Sequence, residues 1–358
     1  MNYRKAIMLT AEACVASATK IVEFKGKEVI SRIQIQLKLT NNGSTPTAHP
    51  ATAINKIEIV DGSEVLWSLS GKECQALNFY SQEKQAIDLI NYVDNEMAVP
   101  MMNINFGRWL WDEELAFDPT RFNNPQLKIT YTLASGGSAP DAGTLEVVAD
   151  IFDEIKPSPI GFLMAKEYYS YTLVANSTHR IDMPTDYPIR MLMIASLAAG
   201  KQPWEQYNQI KISEENDKRI PLDDKTSDLI KYILDEFGTY EELMRAILTT
   251  SDVVHYTAPT FDVNPVFNPC NGETLYPILG LSYGGTFAIK GSAAGQVKGV
   301  VKGYMPHGAM AIPFGDIWDA NKWYDVTKLG GWELIIVAGS GCTTSSTCQI
   351  VTEQLRRY

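Results

Sequence analysis

The stretch that decides the fold is residues 312–336, IPFGDIWDANKWYDVTKLGGWELII, because the chain contains a second version of it. Residues 104–129 read INFGRWLWDEELAFDPTRFNNPQLKI. With one gap after the shared glycine, nine positions are identical. Average residue usage would give on the order of one or two such matches by chance. The two versions lie 208 residues apart at their start, which is a domain length rather than a solenoid period. We therefore interpret the chain as one module present twice.

Each version predicts a strand, an ordered loop and a second strand. Alternating apolar residues come first, then a glycine where a turn can need positive φ. A Trp-Asp pair and an Asp-x-Thr unit follow, and short oxygen side chains at that spacing bond nearby backbone N–H groups. Since an enzyme rarely needs its site twice in one chain, we expect a scaffold role rather than paired catalytic carboxylates. The repeated structural motif consists of Phe106, Gly107, Trp111, Asp112, Asp118, Thr120, Phe314, Gly315, Trp318, Asp319, Asp325 and Thr327.

Composition excludes several classes of protein. The 358 residues suffice for two domains with real cores. The net charge is −11 and no run of Lys or Arg exceeds two residues, so direct binding of nucleic acid is not expected. Neither a signal peptide nor a membrane-spanning run is predicted. The five cysteines are expected to be free thiols, although a bridge between Cys342 and Cys348 across a hairpin stays open.

Local patterns predict mostly strands with a few helices. Residues 33–39 alternate strictly between apolar and polar, the pattern of a strand with one buried face. A capping box at Ser70 and Glu73 predicts a helix over 72–92. The amphipathic run 228–237, followed by a glycine, predicts its counterpart in the second half. A Thr-x-x-Glu pattern at 239–242 predicts one more short helix.

The same patterns divide the chain into two domains, 1–156 and 157–358. The division falls at Lys156-Pro157-Ser158-Pro159, where two prolines break any continuing element. Matching residues near the start of the two halves lie 153 residues apart, whereas those in the repeated stretch lie 208 residues apart. The second copy therefore carries about 55 additional residues, within an insertion over about 238–310. Its many prolines and glycines are typical of a long, partly β excursion built of turns.

A search for catalytic, metal or cofactor sites finds none in the sequence. The four histidines, His49, His179, His255 and His307, lack metal-ligand spacing and are predicted to be surface or loop residues. The glycine-rich segments match neither a phosphate loop nor a nucleophile elbow. No cofactor is predicted.

Two tandem β-modules of about eight strands, each with a helix after its fourth or fifth strand, resemble one family. With the F-G…W-D…D-x-T…L-x-I repeat, they resemble the double jelly-roll major capsid proteins of tailless icosahedral viruses. This lineage includes the adenovirus hexon and coats of bacterial and archaeal viruses. The resemblance covers nearly the whole chain. It implies an all-β fold of two tandem eight-stranded antiparallel jelly rolls with short helices. It also implies that the insertion of the second roll forms a tower on the outer face.

The resemblance further implies a structural role without enzymatic activity. Three chains would form a homotrimer with a pseudo-hexagonal outline, and neighbouring trimers would tile an icosahedral shell. Penton or minor capsid proteins would be further partners, and an internal membrane is a candidate partner. The protein would assemble in the host cytoplasm and reside in the capsid of the virion.

Two alternatives from other classes stay open at this point. The first is a two-domain carbohydrate-binding β-sandwich protein or glycan-active enzyme. A glycan-active enzyme would need two carboxylates about 5–10 Å apart, for which Asp112 and Glu114 are the candidates. The second is an adhesin or secreted appendage subunit, which an oxidised Cys342–Cys348 pair would favour.

Overall fold

The first half folds as two antiparallel sheets packed face to face. The structure is a computed structural model that describes residues 1–85, 88–269, 274–278, 283–343 and 346–358. One sheet has the strand order β1-β10-β3-β8, and the other has the order β2-β9-β4-β5. In chain order the strands are β1 (Tyr3–Ala13), β2 (Ser17–Glu23), β3 (Ile30–Thr40), β4 (Ile54–Asp61), β5 (Glu64–Leu69), β6 (Leu89–Asn91), β7 (Met97–Ala98), β8 (Met101–Asn105), β9 (Pro125–Thr132) and β10 (Ala142–Phe152).

The second half repeats this arrangement strand for strand. In chain order its strands are β11 (Gly161–Thr172), β12 (Thr178–Asp182), β13 (Ile189–Ala195), β14 (Tyr207–Glu214), β15 (Arg219–Lys225), β16 (Tyr240–Leu248), β17 (Val253–Tyr256), β18 (Phe261–Pro269), β19 (Leu275–Ile278), β20 (Thr286–Gly291), β21 (Gly295–Tyr304), β22 (Ala309–Pro313), β23 (Trp332–Ala338) and β24 (Thr347–Arg357). Its two sheets have the orders β11-β24-β13-β22 and β12-β23-β14-β15. The all-β double jelly roll predicted from the sequence is confirmed.

Alternation of apolar and polar residues explains why these segments pair as sheets with one buried face. In β3, Ile33, Ile35, Leu37 and Leu39 have no exposed surface, while the residues between them are half-buried. Side chains of successive strand residues point to opposite faces. The apolar set of β3 therefore faces the second sheet of the roll, and the polar set lies on the outer face.

Both rolls carry a helix between their fifth and sixth jelly-roll strands: α1 (Gly71–Gln82) precedes β8 and α3 (Thr226–Phe237) precedes β22. A further short helix, α2 (Pro203–Gln206), precedes β14. The capping box at the start of α1 is present as predicted. The predicted extension of α1 to residue 92 is wrong, because Glu83 is left-handed (φ 51°) and β6 follows.

The insertion of the second roll forms two small sheets, β18-β21-β16-β6 and β17-β20-β19, around a core of their own. Because β6 comes from the first roll and pairs in parallel with β16, both rolls contribute to this body. The helix predicted at 239–242 is wrong. The segment is strand β16, whose side chains alternate between buried and less buried positions. This two-residue period overrides the local capping pattern.

The two rolls share one continuous sheet. Strand β5 of the first roll pairs in parallel with β11 of the second at Ser68 and Lys166. This pairing joins one sheet of each roll into the order β2-β9-β4-β5-β11-β24-β13-β22. Helix α1 lies across the second-roll part of this sheet, where the Tyr80 hydroxyl donates to the Ala309 carbonyl at 2.8 Å. We call the β5–β11 pair and the α1 contact the roll junction.

A buried arginine holds the roll junction together. Arg190 of β13 has no exposed surface and donates to the Glu353 carboxylate at 2.7 Å. It also donates to the Ser81 hydroxyl at 2.5 Å and to the Ser81 carbonyl at 2.9 Å, both at the end of α1. A fourth hydrogen bond, to the Ile317 carbonyl, is 2.9 Å long. One side chain thereby ties the helix of the first roll to the sheet of the second.

Replacing Arg190 with alanine should lower the free energy of unfolding by about 3–5 kcal/mol, because Glu353 is left buried without its partner. Chemical denaturation at a fixed protein concentration measures the change. Arg180→Ala is the matched control, since Arg180 pairs with Glu333 but keeps 63% of its side chain exposed. The control substitution should lower the free energy of unfolding by less than about 1 kcal/mol. Equal losses for the two variants would contradict this role of Arg190.

Candidate assembly surfaces

The first copy of the repeated motif lies in the connection between β8 and β9. Phe106 is fully buried and its ring stacks on that of Phe117 at 4.9 Å between centroids. A Cβ on Gly107 would lie 2.4 Å from the Leu115 carbonyl oxygen, so only glycine fits at this close approach of two backbones. Trp111 adopts positive φ (72°).

Asp112 organises this connection as an acceptor. Its carboxylate accepts from the Arg108 guanidinium at 2.8 and 3.0 Å and from the backbone N–H groups of Arg108, Glu114 and Leu115 at 3.1–3.3 Å. The Glu114 carboxylate accepts from the same guanidinium at 2.5 Å. The two acids that a glycan-active enzyme would use are thus both paired with Arg108.

The Asp-x-Thr unit makes the same contact in both copies. The Thr120 hydroxyl donates to Asp118 at 2.6 Å, and the Thr327 hydroxyl donates to Asp325 at 2.5 Å. Short 3₁₀ turns, Pro119–Arg121 and Val326–Lys328, follow directly. Each aspartate therefore bonds the threonine of the turn that follows it. The residue before each aspartate, Phe117 or Tyr324, forms an isolated bridge to Ile30 or Ile189.

The second copy, between β22 and β23, keeps the glycine and the aromatic residue. Phe314 is half-buried and packs on Tyr324 at 4.8 Å between ring centroids. Gly315 has positive φ (74°), and a Cβ there would lie 2.4 Å from the Lys322 carbonyl oxygen. Both motif glycines therefore sit where the backbone of their own loop leaves no space for a side chain.

The Trp-Asp pair differs between the copies. Trp318 lies over the Arg190 guanidinium at 5.6 Å, and Asp319 accepts from the Asn321 backbone N–H at 3.1 Å as the cap of a 3₁₀ turn. Asp319 pairs with Lys322 at 3.5 Å rather than with an arginine, because the residue after the glycine is Asp316 in this copy. The two loops contact each other, because the Arg108 guanidinium donates to the Trp318 carbonyl at 3.3 Å and because Leu115 and Trp323 belong to one small apolar cluster.

Gly107→Ala should lower the free energy of unfolding by about 1–3 kcal/mol, the usual cost of forcing extra volume into a packed region. Gly331→Ala is the control, because no atom lies within 4 Å of the position its Cβ would take. Thermal and urea unfolding of the two variants measure the difference. A Gly107→Ala protein as stable as the control would show that the close approach is unimportant.

Three of the four histidines are buried. His49 and His307 lie in connections between strands, one of the two predicted locations, but are buried there, and His255 is buried in strand β17. His49 Nδ1 accepts from the Ala51 N–H, so Nε2 carries the proton that it donates to Glu242 at 2.9 Å. This bond connects the first roll to the insertion. In the described part of the chain, no group of three or more potential ligands could hold a metal ion.

Cys342 and Cys348 are free thiols. The Cys342 thiol donates to the Gln206 carbonyl at 3.1 Å. The adhesin alternative therefore lacks the bridge that would have favoured it.

A carboxyl pair spans the roll junction and makes its stability pH-dependent. Burial, together with the charge of Glu167 on β11, raises the pKa of Glu73 on α1 from its ordinary value of 4.5 to about 7. The folded state then holds a proton that the unfolded chain releases. This contribution to stability is present below about pH 4.5 and is lost as the pH rises toward 7.

Glu73→Gln should remove the loss of stability that accompanies a rise in pH from about 4.5 to 7, because glutamine has no proton to release. Relative to the unmodified protein, the variant should gain on the order of 2–4 kcal/mol of unfolding free energy between pH 4.5 and 7.5, since one pK unit is worth about 1.4 kcal/mol. Denaturation at a series of pH values tests it, with the exposed Glu113→Gln as control. A constant difference between the variant and the unmodified protein across that range would refute the prediction.

A groove and one helix face are exposed in the described part of the chain. The groove, of about 530 Å³, lies between the outer face of β3 and β8 and the end of α1, and Arg32, Gln82 and Trp109 are among its lining residues. The outer side of α3 is also open, and Tyr232 is 69% exposed there. The groove is lined mostly by polar side chains, and Tyr232 is a single exposed aromatic residue on α3, so neither surface is an extended apolar patch.

No protein-family model and no curated protein sequence matches the chain. Solved structures do. The major capsid protein P2 of bacteriophage PM2 matches with a TM-score of 0.57 at 11% identity, over 99% of this chain and 98% of that one. The STIV major capsid protein matches with a TM-score of 0.58 at 10% identity, over 99% of this chain and 96% of that one. The PBCV-1 virus capsid matches with a TM-score of 0.55 at 10% identity, over 99% of this chain and 94% of that one.

The chain therefore has the fold of the double jelly-roll major capsid proteins. The matches span almost the full length of both partners, so the likeness includes both rolls and their order. None of the helices in the described part of the chain is long and apolar enough to cross a membrane.

Proposed function

We propose that this protein is the major capsid protein of an icosahedral virus. The observation that carries the proposal is the likeness to three capsid proteins over the full double roll. The roll junction supports it, because a shared sheet and a buried ion pair make the two rolls one building block. A shell subunit must transmit contacts from one neighbour to the next without bending.

The building block would assemble as a homotrimer, and trimers would tile the shell. Two rolls per chain and three chains give six similar bodies around one axis, which accounts for a pseudo-hexagonal outline. The insertion would form a tower on the outside of the particle. Penton or minor capsid proteins would fill the remaining positions, an internal membrane is a candidate partner, and assembly would take place in the host cytoplasm.

The domain division 1–156 and 157–358 is part of this proposal. Strand β10 ends at Phe152 and β11 begins at Gly161, so the boundary falls between the last strand of one roll and the first of the next. The insertion assigned to 238–310 contains β16 to β21. These positions support a duplicated unit with one elaborated loop.

The repeated motif would act as a scaffold rather than a catalytic site. Its acids cap turns or pair with Arg108, and its glycines permit close backbone approach. These contacts would shape the two loops at the same end of each roll. We accordingly propose a structural protein without enzymatic activity, acting in the virion.

The purified chain should behave as a trimer. Light scattering coupled to size-exclusion chromatography should give three times the chain mass, and negative-stain images should show particles with a hexagonal outline. The physical reason is the area that obligate subunits bury, usually about 2,000–5,000 Å². A monomer at every concentration from nanomolar to tens of micromolar would contradict the proposal.

A further inference from the structure

We propose that the first roll binds a small neutral amphiphile, a molecule with one apolar body and one hydroxyl group. The site is a cavity of about 290 Å³ beside β1 and the connection from β2 to β3. Ile7 at its edge is 65% exposed, so the cavity opens to solvent. We call it the first-roll cavity. The inference goes beyond the capsid role and does not depend on it.

The inner wall of the first-roll cavity is apolar. Ile30, Ala149 and Ile151 line it and are at most 4% exposed. Met8 of β1 and Phe24, which follows β2, add two more apolar side chains. An apolar cavity of about 150 Å³ is large enough to bind benzene. The first-roll cavity therefore has room for an apolar body larger than one ring.

The second roll closes the corresponding place with a tyrosine. Met8 is the bulge residue of β1 and Tyr168 is the bulge residue of β11, opposite corresponding residues of β10 and β24. On the facing strands, Glu23 of β2 corresponds to Asp182 of β12. The Tyr168 hydroxyl donates to the Asp182 carbonyl at 2.9 Å, which bridges the two strands. A methionine has no hydroxyl and cannot form this bridge, so the first roll lacks the closure.

The walls behind these residues differ in the same sense. Ala6 of β1 corresponds to Lys166 of β11, and Ile151 of β10 corresponds to Gln354 of β24. The Gln354 amide donates to the Asp186 carboxylate at 3.1 Å. The second roll thus fills this place with long polar side chains, whereas the first roll has short or apolar ones. Atoms that line a void lose dispersion contacts, which an apolar ligand restores.

The rim of the first-roll cavity favours a neutral ligand. It carries two basic side chains, Arg4 and Lys25, and two acidic ones, Glu23 and Glu28. Arg4 already pairs with Glu28 at 3.4 Å. Because the charges balance, a charged ligand gains little attraction to offset the loss of its hydration. A hydroxyl group can both donate and accept hydrogen bonds, and it is the group that the second roll places here.

Titration with 4-propylphenol tests the proposal, because this probe has an apolar body and one hydroxyl group. Isothermal titration calorimetry of the full-length protein should give one site per chain and a dissociation constant on the order of 0.1 mM, the usual range for a ligand of this size. At about pH 7 the anion 4-propylbenzoate should bind at least roughly tenfold more weakly. Equal binding of the two probes would overturn the choice of a neutral ligand.

Substitutions of the two bulge residues give a matched pair. Met8→Tyr introduces the residue that closes the second roll and should weaken binding of 4-propylphenol at least roughly tenfold, because its ring occupies the cavity. Tyr168→Met makes the converse change outside the first-roll cavity and should leave the affinity and the single site unchanged. Ala6→Leu is a second filling variant, which narrows the cavity from β1. Thermal unfolding shows that each variant is folded.

The outcomes decide the inference separately from the capsid role. Loss of binding in a folded filling variant, with unchanged binding in the Tyr168→Met protein, supports the site. Absence of binding to the unmodified protein, undiminished binding to a folded filling variant, or an equal loss in the Tyr168→Met protein overturns it. Light scattering of the unmodified protein tests the trimer whatever the probe does.

Discussion

The buried ion pair between Arg190 and Glu353 is the contact on which the double-roll unit depends. Taking two charges out of water costs several kcal/mol per ion, and only close geometry with further hydrogen bonds offsets that cost. Arg190 has both, because Ser81 and Ile317 accept three further hydrogen bonds from it. The four acceptors of Arg190 are the hydroxyl and carbonyl of Ser81, the Glu353 carboxylate and the Ile317 carbonyl. They come from the helix of one roll and from the sheet and a loop of the other. Helix, sheet and loop must therefore be placed together for any of these bonds to form.

The two rolls share one strand order but differ in the residues of their outer faces. The same strand order appears twice, yet the outer face carries Met191 and Met193 in the second roll, and Arg32 and Gln34 in the first. The second-roll face is covered by α1 within the chain, so its methionines are removed from water. The first-roll face is only half-buried at Arg32 and Gln34, and polar side chains suit such a face better.

The sequence predicts the part of the fold that depends on local pattern. Alternation predicted β3, and the repeated block located the loops after β8 and β22. It missed features that depend on partners distant along the chain. The segment 239–242 looks like a helix start, but pairing with β21 makes it a strand. Arg190 carries no local signal, since its partners Ser81 and Glu353 lie 109 and 163 residues away. In the sequence Asp112 and Asp319 look equivalent. In the structure only Asp112 has an arginine partner, Arg108, because Asp316 takes the place of that arginine in the second copy.

A cryo-electron microscopy map of the purified assembly tests the central claim most directly. The account predicts a trimer with six sandwiches around one axis and a hexagonal outline, in which the two rolls of each chain form one unit joined through the Arg190–Glu353 pair. A monomer, or a map in which the two rolls of a chain lie apart without the roll junction, would contradict it.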